Sequence, residues 1–451
     1  MTNSVNVREL VLDMLIDITK NNIPLHIATR NILQKHQYLN KSDRAFLSRV
    51  LEGTVENMIL LDYVINQFSN TKTNKMKPLI RNLIRMSTYQ ILFMDKTPDS
   101  AVCNEAVSLA KKRGFVNLKG FVNGVLRNIS RNKDMIVYPD KNTNYKEYLS
   151  IMNSTPMWLV EQVIEQYGDK AEQIISSFNK EKNGVTVRVN TNKTTKEALL
   201  KELQESNVSV KEGILSEQAI IISDFDYLNK IDAFLEGKMY VQDESSMMVA
   251  QVADPKKDAY CIDMCAAPGG KAIHLAELLG DKGHIEARDI SDSKVALIEE
   301  NIERIGAKNI SVKISDGTIY DETSEEIADV VIADVPCSGL GVISKKSDIK
   351  YNMSPEIQNE LVALQKRILE NAIRYLKIGG TLIFSTCTIN KRENIDNLKW
   401  LIDEKGMKPL DISDYFPNKY HHEETKNGYI CLIPGIDETD GFFISKLIKQ
   451  E

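Results

Sequence analysis

At 451 residues the chain exceeds what one hydrophobic core fills, and ordinary domain sizes divide it into roughly three parts. Apolar residues make up 42% and charged residues 27%, which excludes a disordered or fibrous chain. The net charge of −6 is uneven: residues 1–135 hold 20 Lys and Arg against 11 Asp and Glu, a net of +9, so the other 316 residues carry −15. A basic end is a common footprint of nucleic-acid binding, although a solvated helical surface without a partner carries the same charge.

The six cysteines (Cys103, Cys261, Cys265, Cys337, Cys387, Cys431) form no dense framework, as expected of reduced thiols in a cytosol. The beginning, MTNSVNVREL, has no apolar signal region, and no stretch reaches the roughly 20 apolar residues that span a bilayer. A cytoplasmic protein with no membrane partner is the expectation.

In chain order, residues 4–130 place apolar side chains at helical spacing. The pattern runs through VRELVLDMLIDI, from Asp43 to Phe68, through LIRNLIRMSTYQILFM, and from Ala101 to Ala110. It predicts an all-helical domain over 1–135. Arg81 and Arg85 lie one turn apart, Lys111, Lys112 and Arg113 cluster before Gly114, and Lys119, Arg127 and Arg131 follow. Contact with RNA is one reading of these cations; cations at a helix carboxyl end also suit the helix dipole. The polar stretch Asn132–Thr155 reads as a linker. Beyond it, a helix over Pro156–Gly168, an alternating strand over Val185–Asn190 and a capped helix over Thr194–Glu205 predict that 136–240 is a linker with a small α+β module. Arg188 in that strand reads as a phosphate contact or as an ordinary solvent-facing residue.

From 241 to 451 strands alternate with helices. Strands are predicted at 259–265, 284–289, 310–316, 327–334 and 381–387, with helices at 271–280, 292–305 and 356–377. This rhythm implies a Rossmann-like α/β domain with a mostly parallel, doubly wound sheet and ligands at the carboxyl ends of its strands. YICLIP and GFFISKLIK add an antiparallel edge.

The chemistry-bearing residues sit at those strand ends. Directly after the first strand come Cys265, Ala266, Ala267, Pro268, Gly269, Gly270 and Lys271. The glycines let backbone approach a ligand, and the helix that follows offers unpaired N–H groups. Neither the dinucleotide fingerprint nor the Walker spacing is present, which favours an adenosyl group over a pyrophosphate. Asp289 closes the second strand, where a carboxylate can hold both ribose hydroxyls, and Asp316 closes the third, where an adenine edge would lie. Either acid alone also reads as a turn former. The segment IADVVIADVPCS presents Asp334 and Cys337, and GGTLIFSTCT presents Cys387, each at the end of a core strand. A buried apolar thiol is the commonest fate of free cysteine; two at neighbouring strand ends point instead to one pocket. Cys103 and Cys261 read as core, and Cys265 lines the loop without reacting. A CxxxC pair without matching histidines makes no zinc site, and no metal is expected.

Together CAAPGGK, the acids at 289 and 316, DVPCS and STCT resemble the RNA (cytosine-5) methyltransferases of the NOL1/NOP2/Sun group. The NusB-like character of the helical domain makes the bacterial ribosomal members the nearest. The resemblance implies transfer of a methyl group from S-adenosylmethionine to carbon-5 of one cytosine in small-subunit (16S) rRNA, by a chain acting as a monomer. It also assigns roles. Residues 265–271, Asp289, Asp316 and Asp334 hold the cofactor, Cys387 adds to carbon-6 of the base, Cys337 assists resolution, and Asp334 hydrogen-bonds the cytosine. Carbon-5 is too electron-poor to attack a sulfonium unaided, and a thiolate is a good nucleophile that also leaves again. Spacing alone does not choose between the thiols, since DNA cytosine methyltransferases attack with the cysteine of a PC motif. The same chemistry on tRNA or another rRNA site, and an inert RNA-binding or assembly factor, remain alternatives. Finally, Gly339–Asn352 reads as a loop over the pocket whose Lys345, Lys346 and Lys350 approach RNA phosphates around a flipped or looped base, or as a merely solvated loop.

Overall fold

A computed structural model describes residues 6–180, 184–280 and 282–450, so the predicted helical start at residue 4 lies outside the described residues. The chain falls into two compact units. One comprises Met1–Lys180 with Ile343–Met353, the other Glu181–Val342 with Ser354–Glu451.

The first unit is helical: Val7–Asn21, Leu25–Lys35, Lys41–Glu56, Met58–Phe68, Pro78–Phe93, Asp99–Lys112 and Lys119–Arg131. Its core is the apolar stripe read from the sequence, with Leu12, Leu15, Leu47, Leu51, Leu83 and Leu126 fully buried. The continuous pattern from Asp43 to Phe68 is in fact two helices, because Asn57 turns its side-chain amide back onto the Gly53 carbonyl and leaves helical geometry. Gly53 is obligatory there, since a Cβ would sit 2.0 Å from the Tyr89 ring. The expected linker Asn132–Thr155 also differs: it contains the helix Tyr145–Met152, capped by the Asn144 side chain and anchored by buried Leu149. Two turns with one fully apolar anchor leave little periodicity to read.

Several cations expected to face RNA are engaged within this unit. Arg85 is buried and forked onto Asp62, its Nε 2.7 Å from the carboxylate. Lys112 pairs with Glu9, and Arg113 with Asp13. The expectation for Lys350 fails outright. It has no exposed surface and donates to Glu56 O at 2.9 Å and Asn179 Oδ1 at 3.0 Å. Its segment is built into the helical unit, with the Leu25 N–H donating to Asp348 and the Tyr351 hydroxyl paired with Ser154 Oγ at 2.9 Å. Lys345 and Lys346 are exposed.

The second unit holds two sheets. The smaller comprises β1 (Val185–Val189), β2 (Ser209–Glu212), β3 (Ala219–Ser223) and β4 (Met239–Val241), antiparallel in the order β2-β3-β1-β4. The helix Lys196–Glu205, capped by Thr195, packs Leu199 and Leu203 against Val187, Val189, Ile220 and Ile222. Arg188 neither faces solvent nor meets a phosphate: it is fully buried and ion-paired with Glu277.

The larger sheet comprises β5 (Tyr260–Asp263), β6 (His284–Asp289), β7 (Ile310–Ile314), β8 (Ala328–Asp334), β9 (Leu376–Thr386), β10 (Lys408–Pro409), β11 (Tyr429–Leu432) and β12 (Phe442–Ile448). Its order is β10-β12-β9-β8-β5-β6-β7 with β11 on β12; the stretch from β9 to β7 is parallel, and β11 and β12, with the short β10, add the predicted antiparallel strands beyond β9. Both faces are covered. Val330, Ile332 and Ile383 pack to one side with Leu275, and Val331, Ala333, Leu382 and Phe384 pack to the other with Leu369, which is why these strands read as unbroken apolar runs. The strand order reverses at β5, between β6 and β8, and an open α/β sheet has its ligand crevice at such a point. Among the described residues no helix is long and apolar enough to cross a membrane.

Candidate active site

Register brings the predicted residues to one end of the sheet. Asp263 at the end of β5 lies opposite Ile332 of β8 and Ala287 of β6, while Asp334 lies opposite Ser385 of β9. Asp334 and Cys387 are therefore carried by neighbouring parallel strands. The Cys337 and Cys387 sulfurs lie 3.4 Å apart, each partly exposed. The hydrogen bond with Cys387, then burial and nearby negative charge, hold the Cys337 thiol far above the usual cysteine range.

Asp334 is gripped from both sides. Lys271 Nζ donates to one oxygen at 2.7 Å and Ser385 Oγ to the other at 2.8 Å. Burial alone would lower the Lys271 ammonium; Asp334, Asp263 and Cys387 outweigh it and raise it above the ordinary lysine value. Lys271 thereby joins the glycine loop to Asp334 at the end of β8. Ser385 escaped the sequence reading although its spacing of two residues before Cys387 puts both on one face of the strand.

The loop itself is shaped for close approach. Gly269 has φ +103°, a conformation that disfavours side chains, and Gly270 opens the helix Gly270–Leu279. Asp289 accepts from the Ala267 N–H at 2.9 Å and pairs with Lys294, so this carboxylate holds the loop. Asp316 accepts from Thr318, whose hydrogen bonds keep its carboxyl below the usual range. The sequence reading missed Asp263. It is completely buried, one carboxylate oxygen has no donor, and burial pushes it up to about 7. An orphaned acceptor beside a glycine loop at a helix start suits a ligand bearing an ammonium group and an adenosine. Cys103 and Cys261 are core, as expected, and no metal-binding cluster occurs among the described residues.

Family comparisons agree with this arrangement. The family described as 16S rRNA methyltransferase RsmB/F matches residues 250–448, the NusB family residues 5–131, and the ferredoxin-like domain of RsmF/B-like methyltransferases residues 155–225. The probable ribosomal RNA small subunit methyltransferase B of Bacillus subtilis is 35% identical, with 99% of each chain covered. The chain belongs to the RsmB/F family of rRNA methyltransferases.

Solved structures similar to this methyltransferase include PH0851, at TM-score 0.83 and 28% identity over 99% of each chain. A second is NSun6 from Pyrococcus horikoshii with SFG, at TM-score 0.59 and 25% identity over 66% of this chain and 98% of that one. S-adenosylmethionine is the cofactor of the family, and the glycine loop, orphaned Asp263 and adjoining acids fit it.

In this methyltransferase the ferredoxin-like module also supports the cofactor loop. The Tyr240 hydroxyl of β4 donates to Pro268 O at 3.0 Å, as does Asn301 Nδ2 at 3.1 Å. A Cβ on Gly270 would come within 3.1 Å of the Tyr240 ring. Burial pushes the Tyr240 hydroxyl up to about 12, so it remains a donor. Arg188 of β1 reaches Glu277 of the helix Gly270–Leu279 and Gln242 Oε1 at 2.9 Å. No local pattern announces such contacts, because each partner is remote in sequence.

Proposed function

We propose that the protein methylates carbon-5 of a specific cytosine in 16S rRNA through a covalent adduct between Cys387 and carbon-6 of the base. The observation that carries this reading is the pair of sulfurs 3.4 Å apart beside the Lys271–Asp334 ion pair. The Cys387 thiolate forms the bond to carbon-6, and the displaced π electrons raise the nucleophilicity of carbon-5. S-adenosylmethionine supplies the methyl group as an electrophile. Asp334 accepts a hydrogen bond from the cytosine amino edge and stabilises the adduct electrostatically. Loss of the carbon-5 proton then returns electrons to the ring and expels the Cys387 thiolate, with Cys337 assisting this resolution. Residues 265–271, Asp263, Asp289 and Asp316 are the cofactor-holding set.

The helical domain over 1–135 is the RNA-binding part, supported by its net charge of +9, and 136–240 links it to the catalytic domain at 241–451. On this reading the chain works in the cytoplasm as a monomer without a metal. Cys387→Ala abolishes methylation, and Cys337→Ala accumulates a denaturation-resistant protein–RNA adduct. Bisulfite sequencing of total RNA from cells with and without the protein reports base, molecule and position together. Normal turnover of Cys387→Ala on 16S rRNA, or a lost methylcytosine confined to tRNA, would overturn the proposal.

A further inference from the structure

Behind the cysteine pair lies a buried carboxylate that none of these roles uses. Glu393 has no exposed surface, and four polar groups converge on it. One oxygen accepts from the Ser338 N–H at 2.8 Å and from Gln365 Nε2 at 2.9 Å; the other accepts from the Ser338 hydroxyl and from Asn390 Nδ2 at 2.9 Å. No lysine or arginine lies among these partners. Removing a carboxylate from water this completely costs several kcal/mol unless hydrogen bonds replace its hydration, and here all four positions are filled.

The donors come from both cysteine turns. Ser338 follows Cys337, and Gln365 also donates to Pro336 O at 2.9 Å, so the backbone on each side of Cys337 is fixed through Glu393 and its partner. On the other strand, the Thr388 hydroxyl meets Ser338 Oγ at 2.7 Å and accepts from the Asn390 N–H at 3.2 Å. Asn394, next to Glu393, accepts from Thr386 Oγ1 at 2.6 Å and donates to Thr388 O at 2.8 Å, which fixes the backbone flanking Cys387.

We propose that Glu393 is a positioning residue for the reaction: its carboxylate ties the Cys337 and Cys387 turns together and sets the spacing of the two sulfurs. The inference rests on the reading that these thiols carry the chemistry. The charge of Glu393 also contributes to holding the Cys337 thiol protonated, behind the larger effects of the Cys387 hydrogen bond and burial.

Glu393→Gln keeps the volume but places an amide donor against donors. Its effect is measured in three ways on the full chain: single-turnover methyl transfer to 16S rRNA, calorimetric S-adenosylmethionine affinity, and iodoacetamide labelling of Cys337 against pH in a Cys387→Ala background. Methyl transfer should fall about a hundredfold, the cost of an ångström-scale displacement of reacting groups. Cofactor affinity should stay within about twofold, and Cys337 labelling should begin at lower pH, effects that a general loss of structure would not combine. If Glu393→Gln does not fold, Gln365→Met removes one donor and leaves the carboxylate; methyl transfer should fall at smaller amplitude with cofactor affinity unchanged, and Cys337 labelling should not move to lower pH, because the charge remains. Turnover within threefold of the parent, or cofactor affinity falling in step with turnover, would overturn the inference. Normal turnover of Cys387→Ala would instead remove the thiol chemistry beneath it.

Discussion

Arg188→Met tests how much the docking of the ferredoxin-like module contributes to the catalytic unit. The Arg188 side chain is 0% exposed and that of Glu277 3%, so the substitution leaves a carboxylate in a site water does not reach. Losing one partner of a buried pair costs about 3–5 kcal/mol. The lower end applies, because one Arg188 nitrogen and Glu277 Oε1 are already without partners. About 3 kcal/mol in a unit of this size lowers its Tm by roughly 6–12 °C. The pH dependence adds a second signature. Burial already raises the Glu277 carboxyl, Arg188 opposes that rise, and adjacent His274 is held neutral by burial. Without Arg188 the folded-state value climbs further above the unfolded one. The folded state then binds the extra proton, and stability falls as pH rises from about 4.5 through that value. Calorimetric melts of Arg188→Met, Glu277→Leu and the double variant between pH 5 and 8 measure both effects. The double variant should recover most of the loss, since two apolar side chains replace the pair without a stranded charge. A single-variant loss under about 1 kcal/mol, or a double variant as unstable as the sum of the singles, would refute the reasoning.

Tyr240→Phe removes one of two donors to Pro268 O and nothing else from the loop; S-adenosylmethionine affinity by calorimetry should weaken about threefold, in line with a net hydrogen bond of ~0.5–1 kcal/mol, and an unchanged Kd would show that the module does not brace the loop. For Lys350, burial lowers the ammonium to about 7 in the folded state, against about 10.4 unfolded. The unfolded chain then binds more protons between those values, so stability rises with pH from about 7 towards 10. Denaturation of the parent and of Lys350→Met at pH 7, 8 and 9 should show a slope approaching ~1.4 kcal/mol per pH unit in the parent that the variant lacks; identical slopes would refute it.

Local pattern carried much of the architecture. The central strands β8 and β9 are covered on both faces, so their sequences carry long apolar runs, and these end where Asp334 and Cys387 break them. The Rossmann-like domain and its loop, acids and thiols were therefore visible from residue order alone. Where a segment was short or its apolar face narrow, as in Tyr145–Met152, periodicity had too few turns to register.

What the sequence by itself determined was which residue types stand at the carboxyl ends of the strands, because strand length and side-chain alternation are local properties of the chain. Only the tertiary structure decided which of those residues meet. The 3.4 Å between two sulfurs fifty positions apart, the Lys271–Asp334 pair and the burial of Arg188, Lys350 and Glu393 all arise between remote segments. A charged residue reads the same in sequence whether water or a buried partner satisfies it; desolvation, which depends on everything packed around it, makes the difference.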